Sequence, residues 1–284
     1  MENHIPKRII QIWIGKNLDL PLFEKAASAN IKLLHPNYEY ILFDDEKVEA
    51  FIKQQPSTYQ KTFHSFNFTI QKVDFFRYLA IYNLGGFYFD LDVLLASNLS
   101  PLLDRECVFS FEDLNISRFL RRSYGMDWAI GNYAFGAAPG HPFLKAVIEN
   151  CVRAQKDPAW VEPMMRGIPR LFRPEFLVLN TSGPTLVSRT LAENPALAET
   201  VTVLFPDDVC DSRNRQHFGN FGIHLMKGNW RTNYGWLRRR LAGAWEVWTY
   251  QTLLKESRKL GKTRPVVPNG KPVVVKQAPA YVQS

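Results

Sequence analysis

One stretch concentrates residues capable of chemistry: Val73-Asp-Phe-Phe-Arg-Tyr-Leu-Ala-Ile-Tyr-Asn-Leu-Gly-Gly-Phe-Tyr-Phe-Asp-Leu-Asp-Val93. Its second half has the composition of a strand. Side chains alternate along a strand, so Phe87, Phe89, Leu91 and Val93 point one way and Tyr88, Asp90 and Asp92 the other. Two carboxylates on one face, ~7 Å apart along the strand, repel each other and lose hydration unless a cation joins them. Hard oxygen ligands of this kind suit Mg²⁺ or Mn²⁺, which keep open positions for phosphate oxygens and can neutralise a departing diphosphate. The bland alternative is that Asp90 and Asp92 are solvated strand-end residues. Their almost wholly apolar neighbours leave two unaccompanied acids harder to explain.

The first half must position them. Val73, Phe75, Phe76, Leu79, Ala80, Ile81 and Leu84 make a helix over 71–84 that is apolar nearly all round, hence buried, with Gly85-Gly86 closing it. Asp74 and Arg77 share a face of that helix and must be paired or meet a ligand. An internal ion pair three residues apart and a ligand site are both open. The helix runs through the two glycines directly into the Asp90/Asp92 strand, so the two charged groups are linked in space.

The surrounding elements read as alternating strands and helices. Strands are expected at 8–14, 38–43, 87–95, 107–111, 133–138 and 200–205, with helices at 21–34, 71–84, 141–155 and 184–193. That alternation implies an α/β sheet with crossover connections. The chain has 284 residues, 46% hydrophobic and 22% charged, enough for one large domain and unlike a disordered chain or a coiled coil. No apolar run reaches the roughly 18 residues a membrane span needs. The opening Met1-Glu-Asn-His lacks a signal-peptide layout, and the odd, scattered Cys107, Cys151 and Cys210 suit a reducing compartment. A cytoplasmic protein is the expectation.

The net charge of +8 is uneven: residues 227–284 carry twelve Lys/Arg against two acids, while the rest is slightly acidic. Residues 236–262 read as a basic helix in which Leu237, Leu241, Ala244, Trp245 and Trp248 share a face, and 263–284 as a flexible tail. That helix suits either peripheral contact with an anionic membrane or packing on the core. No zinc finger, P-loop or RNA-binding strand supports a nucleic-acid partner.

Asp74-x-x-Arg77-Tyr78 followed by Gly85-Gly86-x-Tyr88-x-Asp90-x-Asp92 closely resembles the DXD signature of glycosyltransferase family 32, which includes capsular and lipopolysaccharide transferases. A similar segment occurs in large clostridial glucosylating toxins. Ile5-Pro-Lys-Arg-Ile-Ile-Gln-Ile-Trp13-Ile-Gly15, Asn132-Tyr-Ala-Phe-Gly-Ala-Ala-Pro-Gly-His-Pro142, Ser182-Gly183-Pro184 and His224 with Trp230 also resemble family segments, so the likeness covers roughly residues 5–230.

The resemblance implies a GT-A fold: a Rossmann-like mixed sheet with flanking helices, spanning residues 1–235 and followed by the helical extension. It implies a UDP- or GDP-hexose donor, Mn²⁺ or Mg²⁺, and transfer with retention to a glycan or lipid-linked saccharide in polysaccharide synthesis. Asp92 would be the direct metal ligand. Asp90 would serve ribose and metal, and His224 would complete the shell and favour Mn²⁺ somewhat. Asp74 and Arg77 would hold the donor sugar, and Asn132 would lie beside the sugar and the acceptor path. Trp13 would stack near the base, Tyr88 would join the donor-binding set, and Trp230 would cover the diphosphate. Asn229 departs from the family's small hydroxyl residue before that tryptophan. Each has a plain rival: core packing for Trp13 and Trp230, a satisfied histidine for His224, a turn for Asn132. A toxin-like protein glycosyltransferase and a two-carboxylate glycoside hydrolase are the competing functions.

Overall fold

The computed structural model describes residues 4–15, 19–114, 117–206 and 216–225. Trp230, the expected helix over 236–262, the expected domain limit at 235 and the tail over 263–284 lie outside them.

The chain opens with β1 (Arg8–Ile12), α1 (Leu22–Leu34) and β2 (Glu39–Phe43). Two short helices follow, α2 (Asp45–Lys53) and α3 (Ser57–Ser65), then α4 (Thr69–Leu84) and the strands β3 (Gly86–Phe89) and β4 (Val93–Leu95). Next come β5 (Cys107–Leu114), α5 (Arg118–Tyr124) and β6 (Trp128–Ala137). Helices α6 (Pro142–Lys156), α7 (Pro158–Met165), α8 (Arg173–Thr181), α9 (Pro184–Glu193) and α10 (Pro195–Ala198) precede β7 (Val201–Leu204), β8 (His217–Phe218) and β9 (Gly222–His224).

Six strands form one mixed sheet in the order β2-β1-β3-β6-β5-β7. Of these, β6 alone runs antiparallel to its neighbours, so the carboxyl ends of β1, β2, β3, β5 and β7 share one edge. The mixed α/β sheet flanked by helices is the architecture expected for a GT-A domain. Both faces of the central strands β1, β3 and β6 are buried, which is why these strands are nearly continuous apolar runs. Ile10, Ile12, Tyr88, Phe109 and Phe135 join one core with α4, and Ile9, Phe87, Phe89, Val108 and Ala134 join the other.

Helix α4 packs against β1, β3, β6 and α6, which accounts for its all-round apolar sequence. Its end is fixed by two glycines with φ of 66° and 105°. A Cβ on Gly86 would also lie 2.6 Å from the Arg8 carbonyl oxygen, so the turn and the close approach to β1 both require glycine.

The expected strand over 87–95 is the main correction. It divides: β3 stays in the large sheet, and β4 joins a small antiparallel sheet ordered β4-β9-β8. Asp90-Leu91-Asp92 forms the turn between them, closed by the Val93 amide on the Asp90 carbonyl at 3.1 Å. Asp90 and Asp92 therefore converge through a turn, not by strand alternation. The fourth strand also extends past Phe111 to Leu114, carried by a bulged pairing with β6, which itself begins earlier than expected at Trp128. Helices α2, α3, α5, α7 and α8 are too short to leave a strong period in the sequence. Cys107 and Cys151 are buried free thiols, and among the described residues no helix is long and apolar enough to cross a membrane.

Candidate active site

The Asp90–Asp92 turn sits at the carboxyl edge of the sheet, held from three sides. The Asp90 amide donates to the Tyr133 carbonyl of β6 at 2.8 Å. On the other flank Gln11 of β1 donates to the Phe89 and Asp90 carbonyls at 3.4 and 3.3 Å, its own carbonyl accepting from Ser28 and Tyr40. Beyond the turn, β9 pairs with β4 so that His224 stands opposite Val93, and the Leu225 amide donates to the Asp92 carbonyl at 3.0 Å.

This framework brings the two acids and the histidine into one cluster. His224 Nε2 lies 3.0 Å from Asp92 Oδ1 and 3.9 Å from Asp90 Oδ2. One ligand atom from each of Asp90, Asp92 and His224 falls within 4.8 Å of the others. The His224 ring stacks on Tyr133, with centroids 4.5 Å apart and planes at 15°. Burial lowers the His224 pKa, but the Asp92 contact and the charges of Asp90, Asp92 and Glu112 outweigh it, so the imidazole is raised above its ordinary value.

Behind the cluster lies a second, closed polar group. Arg77 of α4 is 2% exposed and reaches Asp74 at 3.2 Å and Asp90 at 3.1 Å. It donates to the Asn132 carbonyl at 2.7 Å and stacks over the Tyr88 ring. Asn132 Nδ2 donates to Asp74 Oδ1 at 3.0 Å and to the Tyr78 hydroxyl at 2.8 Å, while Ser182 Oγ donates to Asp74 Oδ2 at 2.8 Å. Tyr88 Oη donates to Asp90 Oδ1 at 2.5 Å. Burial pushes the Asp74 carboxyl up to about 6, against the opposing pull of Arg77, Ser182 and Asn132. The pair three residues apart on α4 does form, yet Arg77 also spans to Asp90, so the helix and the acidic turn make one electrostatic unit.

Trp13 follows β1 at the same edge of the sheet, half-buried, its amide donating to the Phe43 carbonyl at 2.8 Å. Several residues that shape the site are not evident in the sequence. Gln11 and Glu112 are polar interruptions of apolar strands, and that is the signal by which they could be found. Gln216, which bridges Glu112 and His224, leaves no signal.

Asp74, Asp90, Asp92 and Glu112 together outnumber Arg77 and His224. An excess of acid around two carboxylates and an imidazole fits a divalent cation of the Mn²⁺ or Mg²⁺ kind, with oxygen donors and one borderline nitrogen. Residues 23–109 match the family described as "Glycosyltransferase sugar-binding region containing DXD motif", a span that includes Asp74, Arg77, Asp90 and Asp92.

Two curated relatives illustrate the likeness. Mannosyl phosphorylinositol ceramide synthase CSH1 of Saccharomyces cerevisiae is 30% identical over 236 residues, covering 80% of this chain and 53% of that protein. Inositol phosphoceramide mannosyltransferase 3 of Schizosaccharomyces pombe is 34% identical over 149 residues, covering 52% and 38%. The chain thus spans about half or less of these relatives' length. Among solved structures, the PaToxG glycosyltransferase aligns over 69% of this chain and 76% of its own at TM-score 0.45 and 17% identity. The UDP-bound glycosyltransferase domain of the YGT toxin aligns over 71% and 80% at TM-score 0.43 and 11% identity.

Proposed function

We propose that the chain is a metal-dependent retaining glycosyltransferase that moves a hexose from a UDP- or GDP-linked donor to a hydroxyl of a glycan or lipid-linked acceptor. The convergence of Asp90, Asp92 and His224 at the carboxyl edge, backed by Arg77, is the observation that carries this reading. The relatives' names, which specify mannosyl transfer to an inositol phosphoceramide, favour a mannosyl donor and a lipid-linked acceptor. A capsular or lipopolysaccharide acceptor is the narrower form of the same reading.

Asp92, Asp90 and His224 would hold the cation, which when bound supplies positive charge against the donor's diphosphate. The protein's own groups do the rest. Arg77 holds the Asp90 side chain in place at 3.1 Å, and Tyr88 orients the same carboxylate. Asp74 and Asn132, immobilised by Ser182 and Tyr78, form a fixed polar floor behind the donor-sugar position, so that little reorganisation is needed as charge develops at the anomeric carbon. Trp13 offers a stacking face for a base. We assign Trp230 to the diphosphate on the resemblance alone. A glycoside hydrolase is disfavoured, because its two carboxyls stand about 5 Å or more apart across a scissile bond, whereas Asp90 and Asp92 crowd one turn. The basic segment 236–262 is proposed to seat the enzyme on the cytoplasmic face of a membrane, which liposome co-sedimentation at low and high salt tests.

The deciding experiment is a nucleotide-sugar panel with Mn²⁺, with Mg²⁺ and with chelator, scored for donor hydrolysis and for transfer to glycan, lipid and protein acceptors. Turnover with one donor that chelator abolishes is expected, and Asp92→Ala should lose at least about a thousandfold of it, the scale of removing several kcal/mol of charge stabilisation. Sugar release from a glycan without any nucleotide would restore the hydrolase reading, and transfer to protein alone the toxin-like one.

A further inference from the structure

Gln216 is the sole non-glycine with positive φ among the described residues, at 62°. L-residues adopt that backbone where the surroundings hold them there, often at a functional site. Its side chain is buried and lies between two partners, Glu112 and His224. Nε2 donates to Glu112 Oε1 at 2.8 Å, and Oε1 lies 2.8 Å from His224 Nδ1. The backbone reinforces the link, since the His224 amide donates to the Gln216 carbonyl at 2.9 Å. Glu112 sits on β5, with its Oε2 buried and without a hydrogen-bond partner. Tyr133, whose hydroxyl donates to the Phe111 carbonyl at 3.0 Å, covers one face of the imidazole.

We infer that Gln216 and Glu112 are positioning residues that fix which nitrogen of His224 faces the cation site. The inference rests on the reading that Asp90, Asp92 and His224 hold a divalent cation. The Gln216 nitrogen also lies 3.4 Å from the Glu112 backbone carbonyl, which can only accept, so the amide turns its NH₂ toward Glu112 and its carbonyl toward His224. That carbonyl can only accept from Nδ1–H. The Nδ1 proton is thereby fixed, so that when a cation replaces the Nε2 proton shared with Asp92 Oδ1 at 3.0 Å, the lone pair set free is the one on Nε2. With the amide reversed, NH₂ would meet Nδ1, the proton would move to Nε2, and the ligand position would be blocked. Outer groups of this kind orient metal-binding histidines and change affinity about 10- to 100-fold when removed.

The test uses the full chain, Mn²⁺ titrated by electron paramagnetic resonance, and imidazole ¹⁵N shifts recorded with Mg²⁺. Gln216→Gly suits φ of 62° and should keep a cooperative melt. It should bind Mn²⁺ at least about tenfold more weakly and show mixed His224 tautomers, where the unsubstituted chain shows Nδ1–H alone. Gln216→Glu should also weaken Mn²⁺ binding, by setting two carboxyls face to face. Combining it with Glu112→Gln reverses the polarity of the bridge while leaving an acceptor on His224 Nδ1, so the pair should recover most of the affinity. Unchanged Mn²⁺ affinity and tautomer in Gln216→Gly would overturn the inference. If that variant fails to fold, absence of recovery in the exchanged pair overturns it instead. Equal Mn²⁺ binding by the unsubstituted chain and by Asp92→Ala would remove the cation reading itself and the positioning role with it.

Discussion

Two polar groups lie side by side in this protein and are built on opposite terms. The Asp74–Arg77–Asn132–Ser182 group is closed: Asp74 and Arg77 are almost fully buried, and each Asp74 oxygen accepts at least one hydrogen bond. The Asp90–Asp92–His224 cluster is open, its side chains 25%, 15% and 14% exposed and its acids in excess. Arg77 belongs to both, with one nitrogen on Asp74 and another on Asp90. The closed group is balanced by the protein alone, so its loss should appear as lost stability. On the proposed function the open cluster takes its balancing charge from a cation, so its loss should appear as lost ligand response.

Arg77→Met is the largest expected break in that contrast. It strands Asp74 without its counter-charge inside the core, where removing one partner of a buried pair costs about 3–5 kcal/mol. In a chain of this size each kcal/mol moves the melting temperature by about 2–4 °C. A fall of about 10 °C in a thermal melt is expected. A fall of a degree or two would show that the buried group is not a structural brace.

The open cluster should respond to metal instead. At a free Mn²⁺ concentration a hundredfold above its dissociation constant, binding to the folded state alone adds about 2.7 kcal/mol of stability. The unsubstituted chain should melt several degrees higher with Mn²⁺ than with chelator. Asp92→Ala should melt at the same temperature in both. A metal shift that survives in Asp92→Ala would place the cation elsewhere.

The same contrast explains what the sequence discloses. The central elements are legible because their physics is local. Helix α4 is apolar all round, Gly85-Gly86 stop it, and β1, β2 and β7 are short apolar runs. The identity of the acidic pair is legible too, but its geometry is not. Whether Phe87–Leu95 continues as one strand depends on β9, which arrives some 130 residues later to capture β4. Gln11 and Glu112 look like exceptions inside strands, and their purpose appears only once Asp90 and Gln216 stand beside them. Gln216 has no local mark at all, since a left-handed backbone at a glutamine is imposed by tertiary contacts. Short helices such as α5 and α7 escape notice because one or two turns carry too little periodicity.

A smaller effect tests whether the closed group is governed by burial or by its ion pair. Burial raises the Asp74 carboxyl to about 6 in the folded chain from an ordinary 3.8. Between those values the folded state binds the proton and the unfolded state does not, so this group's contribution to stability falls as pH rises. Ordinary paired carboxylates do the reverse. Asp74→Asn removes the contribution, leaving an amide oxygen that can still accept from Ser182. Its stability should therefore climb more steeply than that of the unsubstituted chain from about pH 4.5 to about pH 6.5, by up to ~1.4 kcal/mol for each pH step of one between the two carboxyl values. Denaturant melts at the two ends of that range measure the difference. A shallower climb in the variant would mean that Arg77 outweighs burial and holds Asp74 as a strongly ionised partner, and the closed group would then be an electrostatic clamp first and a packed wall second.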